Sequence, residues 1–442
     1  MKIYSRIVYE LYECVAFVLR LAADVFRRAG KPGSGTRRAA IVTRWDIFPA
    51  NHGGAVKIVQ TAKHLSLHYD EVLVITQNRY EYFVFRKGEV SRETYPLIAK
   101  WAFRMRTSSL MRLIQSSGCP QYEQWMAMPF FDSNFRFRVL YLAVRRPFDV
   151  MQAEFAPFAF ACGWASAIYP GISRIAVEHN IEFLRIAATN DLPASDVQKM
   201  KDLEIGACRS CDRVVAVSDV DRDLLVQHGV ETSRMSVIPL GVDLLEYQSM
   251  DIEAVSAIRR KYGILPDDFT IMFHGVLCYK PNHDAVRLLA REIMPRLRSL
   301  GCPAKCLVVG NRPSPEFAAD DIILTGAVDR IPPVIQAADV AVVPLLDGGG
   351  TRLKILEYFA AGVPVISTAK GAEGIKAEYG KDILVEDSMD GIAGLVNELR
   401  HDPVKRRAIG ENGRMFVQKF GWDRLAEEYC RLYAEVDRSK GN

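Results

Sequence analysis

Short apolar runs recur along this chain with helical stretches between them, and that alternation admits few folds. Ala39–Thr43 and Glu71–Ile75 come first, separated by Gly53-Gly54 and the helical stretch Ala55–Leu67. The rhythm returns at Asp149–Gln152, Arg174–Val177, Arg213–Val217 and Met235–Ile238, with helical stretches after Pro157, across Ser195–Ala207 and over Asp219–His228. After Pro239-Leu240-Gly241-Val242-Asp243 a second alternation begins, with runs at Thr270–Phe273, Lys305–Val309, Ile322–Leu324, Val340–Val343, Val363–Ile366 and Ile383–Val385. Strands that are apolar throughout are covered on both faces, and strands alternating with helices form a parallel sheet. At 442 residues the chain exceeds one ordinary core, so two α/β domains are expected. Their boundaries read as 39–239 and 240–420, with an N-terminal helix and linker over 1–38 and a C-terminal helix over 421–442 that returns to the first domain.

Residues 78–147 interrupt the first alternation. They are rich in aromatics and arginines, such as Trp101, Phe103, Arg104, Arg106 and Arg112, with weak helical periodicity. Two readings stand: a helical pair covering the sheet, or an insertion that binds an acceptor. The N-terminal stretch also has two readings. Ile3, Ile7, Leu11, Cys14, Val15, Val18, Leu21 and Val25 recur at helical spacing, flanked by Lys2, Arg6, Arg20, Arg27 and Arg28. Such a helix either packs on the protein body or lies on an anionic membrane surface. It is not a signal peptide, because Glu10 and Glu13 interrupt it, and no run approaches the roughly 20 apolar residues of a membrane span.

Composition removes other classes. The net charge of +4 is small for this length, and no zinc-finger spacing or RNA-binding signature supports a nucleic-acid partner. Nine scattered cysteines fit a reducing compartment. Cys208 and Cys211 have no second pair at zinc spacing and read as structural. Asp219-Val220-Asp221-Arg222-Asp223 contains Asp-x-Asp, but it opens a helix, where acidic residues are favoured anyway. We expect neither a metal nor a cofactor.

Ligands of open parallel sheets bind beyond the carboxyl ends of the strands. There the chain places Gly53-Gly54, Glu178-His179-Asn180, His274-Gly275 and Asp347-Gly348-Gly349-Gly350. The last opens the most informative stretch: a strand, a glycine-rich turn, then Thr351-Arg352-Leu353-Lys354-Ile355-Leu356-Glu357 on a helix. Glycines let a phosphate approach backbone N–H groups, and a helix N-terminus offers unpaired donors. Arg352 and Lys354 add positive charge. Glu357 lies nearly two turns in, where a carboxylate with two acceptor oxygens suits the cis-diol of a ribose.

Residues 321–375 resemble the nucleotide-sugar segment of the family-4 retaining glycosyltransferases. The resemblance rests on Thr325-Gly326-Ala327-Val328-Asp329, Ala338-Asp339-Val340, the run from Gly350 to Glu357, Ala361-Gly362-Val363-Pro364-Val365 and Glu373-Gly374. Weaker similarity extends from about residue 39 to 435. It implies the GT-B fold, two Rossmann-like domains facing each other across a cleft. It also implies residue roles. Glu357 holds the ribose, and Gly350, Thr351, Arg352 and Leu353 bind the diphosphate. The loop from Gly326 to Asp329 meets the base. Gly53 and Gly54 lie near the diphosphate and acceptor, and His179 beside the transferred sugar. Gly275 and Lys280 belong to the loop after the first strand of the second domain, where Lys280 has two readings, a phosphate ligand or a solvent-facing side chain.

The expected activity is transfer of a hexosyl group, with retention, from a nucleotide diphosphate to a saccharide or lipid-linked acceptor in surface polysaccharide or glycolipid assembly. His179, Arg352 and Lys354 are the catalytic candidates. The expected location is cytoplasmic, or peripheral on the inner face of the membrane. Two departures from the family pattern stand out. Many members carry a second glutamate where this chain has Gly349, and the loop His274–Asn282 lacks the usual arginine. The first motivates an alternative: a catalytically silent nucleotide-sugar-binding subunit that supports a partner enzyme.

Overall fold

The computed structural model describes residues 35–50, 53–77, 80–96, 132–189, 192–348 and 352–441. The N-terminal amphipathic stretch, Gly349, Gly350, Thr351 and most of the insertion lie outside the described residues. The chain divides into two compact units. One takes the described residues of Met1–Ile238 and Ala426–Asn442, the other Pro239–Leu425.

In the first unit the strands are β1 (Arg38–Thr43), β2 (Glu71–Thr76), β3 (Glu81–Arg86), β4 (Glu89–Thr94), β5 (Val150–Glu154), β6 (Ser173–Glu178), β7 (Arg213–Ala216) and β8 (Met235–Val237). They form one sheet in the order β4-β3-β2-β1-β5-β6-β7-β8. Pairing is parallel from β2 through β1 to β8, with Ile41 opposite Val74 on one side and Gln152 on the other.

The antiparallel hairpin β3–β4 corrects one of the two sequence readings of the insertion, the helical pair. Glu81–Arg86 is rich in aromatic and branched residues, a composition that fits a pleated surface. Lys87 (φ 50°) and Gly88 (φ 84°) supply the two positive-φ residues that a tight hairpin turn requires. The helix Ser133–Arg145 follows within the same stretch, capped by Asp132, whose side chain accepts from the Phe135 N–H.

The C-terminal segment from Ala426 completes this unit. It belongs to the helix Trp422–Gly441. Tyr433 donates its hydroxyl hydrogen to Gln152 on β5 and meets Tyr69 edge-on, and Ser173 Oγ donates to Asp437 at 2.7 Å. Cys208 and Cys211 are free thiols buried in the apolar core, which agrees with their structural reading.

In the second unit the strands are β9 (Phe269–His274), β10 (Ala304–Val309), β11 (Ile322–Gly326), β12 (Val340–Val343), β13 (Val365–Ser367) and β14 (Leu384–Val385). Their order is β11-β10-β9-β12-β13-β14, all parallel, which is the doubly wound arrangement with its reversal between β9 and β12. The core between sheet and helices includes Ile271, Phe273, Val308, Val342, Leu356 and Phe359. Among the described residues no helix is long and apolar enough to cross a membrane.

Candidate functional site

The reversal in the second sheet sets two loops side by side, one after β9 and one after β12. The helix Leu353–Ala360 begins after the second loop, with Arg352 as its N-cap residue. The sequence reading started this helix near Thr351.

Glu357 on that helix meets the end of β9. His274 Nε2 lies 2.9 Å from Glu357 Oε2. The proton positions follow from counting donors. The backbone N–H of His274 donates to the Tyr358 hydroxyl oxygen at 2.9 Å, and the same hydroxyl lies 2.8 Å from His274 Nδ1. Burial, with the nearby Glu357 charge adding to it, pushes the Tyr358 phenol well above its usual range, so it keeps its hydrogen. That hydrogen goes to Nδ1, which leaves Nε2–H to donate to Glu357. His274 therefore orients one oxygen of Glu357, while Oε1 has no hydrogen-bond partner among the described residues. A carboxylate held this way suits two ribose hydroxyls. The sequence reading marked His274 only as a strand-end residue; its hold on Glu357 was visible in neither spacing nor composition.

Two cations flank this pair without lying open to solvent. Arg352 is buried, 8% exposed, and its Nη2 donates to the carbonyl of Gly348 at 2.7 Å. It braces the glycine turn. Lys354 is half-buried. Its Nζ donates to Asn282 Oδ1 at 2.7 Å and sits 4.0 Å from the centre of the Phe273 ring. Burial first, and the Arg352 charge second, lower the Lys354 pKa to about 7. Gly275 makes room for this contact, because a Cβ there would lie 2.8 Å from Asn282 Nδ2 and 3.0 Å from Lys354 Nζ. Asn282 in turn donates to the Val276 carbonyl at 3.0 Å, which fixes the loop after β9.

Lys280, read as either a phosphate ligand or a solvent-facing side chain, opens the helix Lys280–Leu288 and pairs with Asp284 at 2.7 Å. Its side chain is 69% exposed, so it stands in solvent as an i,i+4 pair. Gly326 ends β11 with φ 71°, and Asp329 is exposed in the loop beyond.

The first sheet reverses between β1 and β5, and a second polar cluster sits there. Gly53 and Gly54 open the helix Gly53–Leu65, whose Lys57 turns inward and is 2% exposed. Its ammonium lies 2.7 Å from both oxygens of Glu154, the last residue of β5. His179, just past β6, places Nε2 2.5 Å from Glu154 Oε2. Burial alone would raise the Glu154 pKa, but the Lys57 charge and the hydrogen bonds from His179 and Lys57 outweigh it and hold the carboxyl below its usual range. The next residue, Phe155, has φ 70° and stacks its ring on His179 with centroids 4.4 Å apart. A bulky residue in that backbone region is strained. Sequence reasoning singled out His179 but missed Lys57, Glu154 and Phe155. Two signals were available: a lysine on the buried stripe shared with Thr61 and Leu65, and a carboxylate ending a wholly buried strand.

The Asp-x-Asp stretch behaves as a helix start. Ser218 accepts from the Asp221 N–H at 3.1 Å, and Arg222 pairs with Asp219 at 2.6 Å and Asp223 at 2.8 Å. Among the described residues no group of three acidic, histidine or cysteine side chains could hold a metal.

Two family models match the chain: Glycosyltransferase Family 4 over residues 52–245, and Glycosyl transferases group 1 over residues 268–402. A D-inositol 3-phosphate glycosyltransferase of Rhodococcus erythropolis is 24% identical over 295 residues, 62% of this chain and 65% of that protein. A GDP-mannose-dependent alpha-(1-6)-phosphatidylinositol monomannoside mannosyltransferase of Mycobacterium tuberculosis is 28% identical over 249 residues, 52% of this chain and 63% of that protein. The chain thus spans slightly less than two thirds of these curated relatives. Among solved structures, sucrose-phosphate synthase of Thermosynechococcus elongatus superposes with a TM-score of 0.67 at 16% identity, covering 91% of this chain and 100% of that one. Anabaena HepE in complex with UDP-glucose gives 0.64 at 15% identity, over 90% and 99%. These likenesses show the fold, which is GT-B, as the sequence led us to expect.

Two predictions follow from the second unit. Glu357→Ala should weaken nucleoside diphosphate binding about ten- to hundredfold, the loss of a charged hydrogen-bond acceptor. His274→Phe, which keeps a ring but frees Glu357 to turn, should weaken it less. Calorimetric titration checks the order, and equal affinities in all three proteins would remove Glu357 from the site. The second concerns pH. A diphosphate beside Lys354 favours its ammonium, and the free protein releases that proton as pH rises through about 7. Binding should therefore take up a proton between pH 7 and 9, and affinity should fall over that range by no more than about tenfold per pH unit. Lys354→Met should bind more weakly at pH 7 and lose the slope. An unchanged slope would place the titrating group elsewhere.

Proposed function

The chain belongs to the family-4, group 1 glycosyltransferases, and from that membership we propose that it transfers a hexosyl group from a nucleotide diphosphate to an acceptor hydroxyl with retention of configuration. The observation that carries this reading is the His274–Glu357 pair at the switch point of the second sheet, beside the turn that Arg352 braces. A carboxylate with one oxygen oriented and the other open is the acceptor set a ribose needs.

In the proposed reaction the bond between the anomeric carbon and the terminal phosphate oxygen breaks. Positive charge grows on the sugar and negative charge on the leaving diphosphate. Fixed dipoles and cations aimed at that diphosphate stabilise the transition state more than the ground state. The start of the helix Leu353–Ala360 and Lys354 are the groups we assign to it, with Arg352 holding the turn in place. A half-buried ammonium gains most here. Its charge is costly while the site is empty and favoured when the diphosphate carries the added negative charge. The acceptor hydroxyl forms the new bond to the anomeric carbon on the face the phosphate leaves, and its proton passes to a phosphate oxygen. No protein nucleophile is required, and Lys354 with the helix start takes the place of a divalent metal. His179, Gly53 and Gly54 are assigned to the saccharide side. The relatives named for phosphatidylinositol and inositol acceptors make a lipid-linked or polyol acceptor the first class to try.

The test is a panel of UDP- and GDP-sugars with lipid-linked and soluble acceptors, in chelator, read by mass spectrometry. We expect one donor to yield nucleoside diphosphate and a glycosylated product whose anomeric configuration matches the donor. Binding without turnover of any donor would support the silent-subunit reading instead. Turnover lost in chelator and restored by manganese would overturn the metal-free mechanism.

A further inference from the structure

The cluster at the switch point of the first sheet contains more than the family's pattern required. Glu154 ends β5 with no exposure, and every contact it makes is to a donor. Oε1 accepts from Lys57 Nζ at 2.7 Å and from Gln152 Nε2 at 2.5 Å. Oε2 accepts from Lys57 Nζ at 2.7 Å and lies 2.5 Å from His179 Nε2. An ionised carboxylate has no hydrogen to give, so His179 must carry its hydrogen on Nε2. The orientation of Gln152 is itself set, because Tyr433 donates to its Oε1, which turns its amide nitrogen toward Glu154.

Charge counting carries the next step. Lys57 already neutralises Glu154, and both side chains are buried. A second proton on His179 would leave an unmatched positive charge there, which burial disfavours. The adjacent Glu178 is a weak balancing charge, since burial first, and the nearby Glu204 and Glu182 second, raise its pKa well above the usual carboxylate range. With Nε2 holding the hydrogen, Nδ1 carries a lone pair, and no described residue bonds to it. The stacked Phe155 ring stops the imidazole from tilting.

We propose that Lys57 and Glu154 are a positioning pair that fixes His179 as a neutral ring protonated at Nε2, so that Nδ1 faces the ligand as an acceptor for a saccharide hydroxyl. This rests on the glycosyl-transfer reading for the ligand, though not for the state of the ring. Without Lys57, Glu154 would draw a second proton onto His179 and turn Nδ1 from an acceptor into a donor. Without the Glu154 charge, nothing would require the hydrogen to sit on Nε2. Lys57 lies in the same helix as Gly53 and Gly54, so the pair also ties the start of that helix to the histidine.

The experiment uses the full chain labelled with 15N-histidine, with the His179 ring signals assigned against a His179→Asn sample. The wild type should show one protonated and one bare ring nitrogen, with the hydrogen on Nε2. Lys57→Met should show both nitrogens protonated near neutral pH. Glu154→Gln, which keeps the shape, and the double variant Lys57→Met with Glu154→Gln should show a mixture of tautomers or the hydrogen on Nδ1. Folding of each is checked by thermal melting, and the double variant, which buries no charge in the pair, serves if Lys57→Met does not fold. In transfer assays all three should lose at least about tenfold in kcat while donor KM changes less than about threefold. Loss shared by donor hydrolysis assigns the hydroxyl to the donor sugar, and loss confined to transfer assigns it to the acceptor. Wild-type ring signals and kcat retained in the variants would overturn the proposal, as would a wild-type ring protonated on both nitrogens. The predicted ring signals in a chain that turns over no sugar nucleotide would instead overturn the transfer reading alone.

Discussion

Where a parallel sheet reverses its strand order, connections from two neighbouring strands leave to opposite faces and cannot cover the strand ends between them. Each unit of this protein has one such point, between β1 and β5 in the first sheet and between β9 and β12 in the second. The polar side chains that define the candidate sites converge there. Glu154 ends β5 and Lys57 follows β1, while His274 ends β9 and Glu357 follows β12. The loops can vary because the strands beneath them are apolar and fully buried, as Ile41, Ile271 and Val342 illustrate.

The two points handle charge differently. At the first, a buried carboxylate is matched by a buried ammonium, and the pair has no net charge to offer a ligand. Its effect is passed on through the ring of His179. At the second, Lys354 is half-buried against Phe273 with an amide oxygen and, among the described residues, no carboxylate in hydrogen-bond contact. Burial holds its pKa near 7, and an arriving anion would restore its charge. One cluster is balanced in charge without a ligand, while the other favours an anionic one.

Much of this was legible in the sequence. Strands buried on both faces announce themselves as apolar runs, which is why β1, β2, β5 and β9 were found within a residue or two at their ends. The hairpin β3–β4 was not, because the arginines and aromatics around it masked Glu81–Arg86 as part of one long insertion. Its Lys87-Gly88 turn lacks the asparagine or aspartate that usually marks such turns. Single side chains were harder. Lys280 and Lys354 look alike as cations near a phosphate loop. Only the fold shows that Lys280 faces solvent beside Asp284 and that Lys354 lies against Asn282. Glu357 was recognisable from its spacing after the glycines, but its partner His274 comes from a distant strand. That contact is a consequence of sheet order, which no local pattern records.

Amide hydrogen exchange with and without a nucleoside diphosphate tests the central claim most directly, because it locates binding without altering a residue. The account predicts slower exchange in two segments far apart in sequence, the loop after β9 through His274 and Gly275, and the start of the helix Leu353–Ala360. Protection there should grow with ligand concentration to saturation. Saturable binding that leaves both segments unchanged and protects another part of the chain would contradict it.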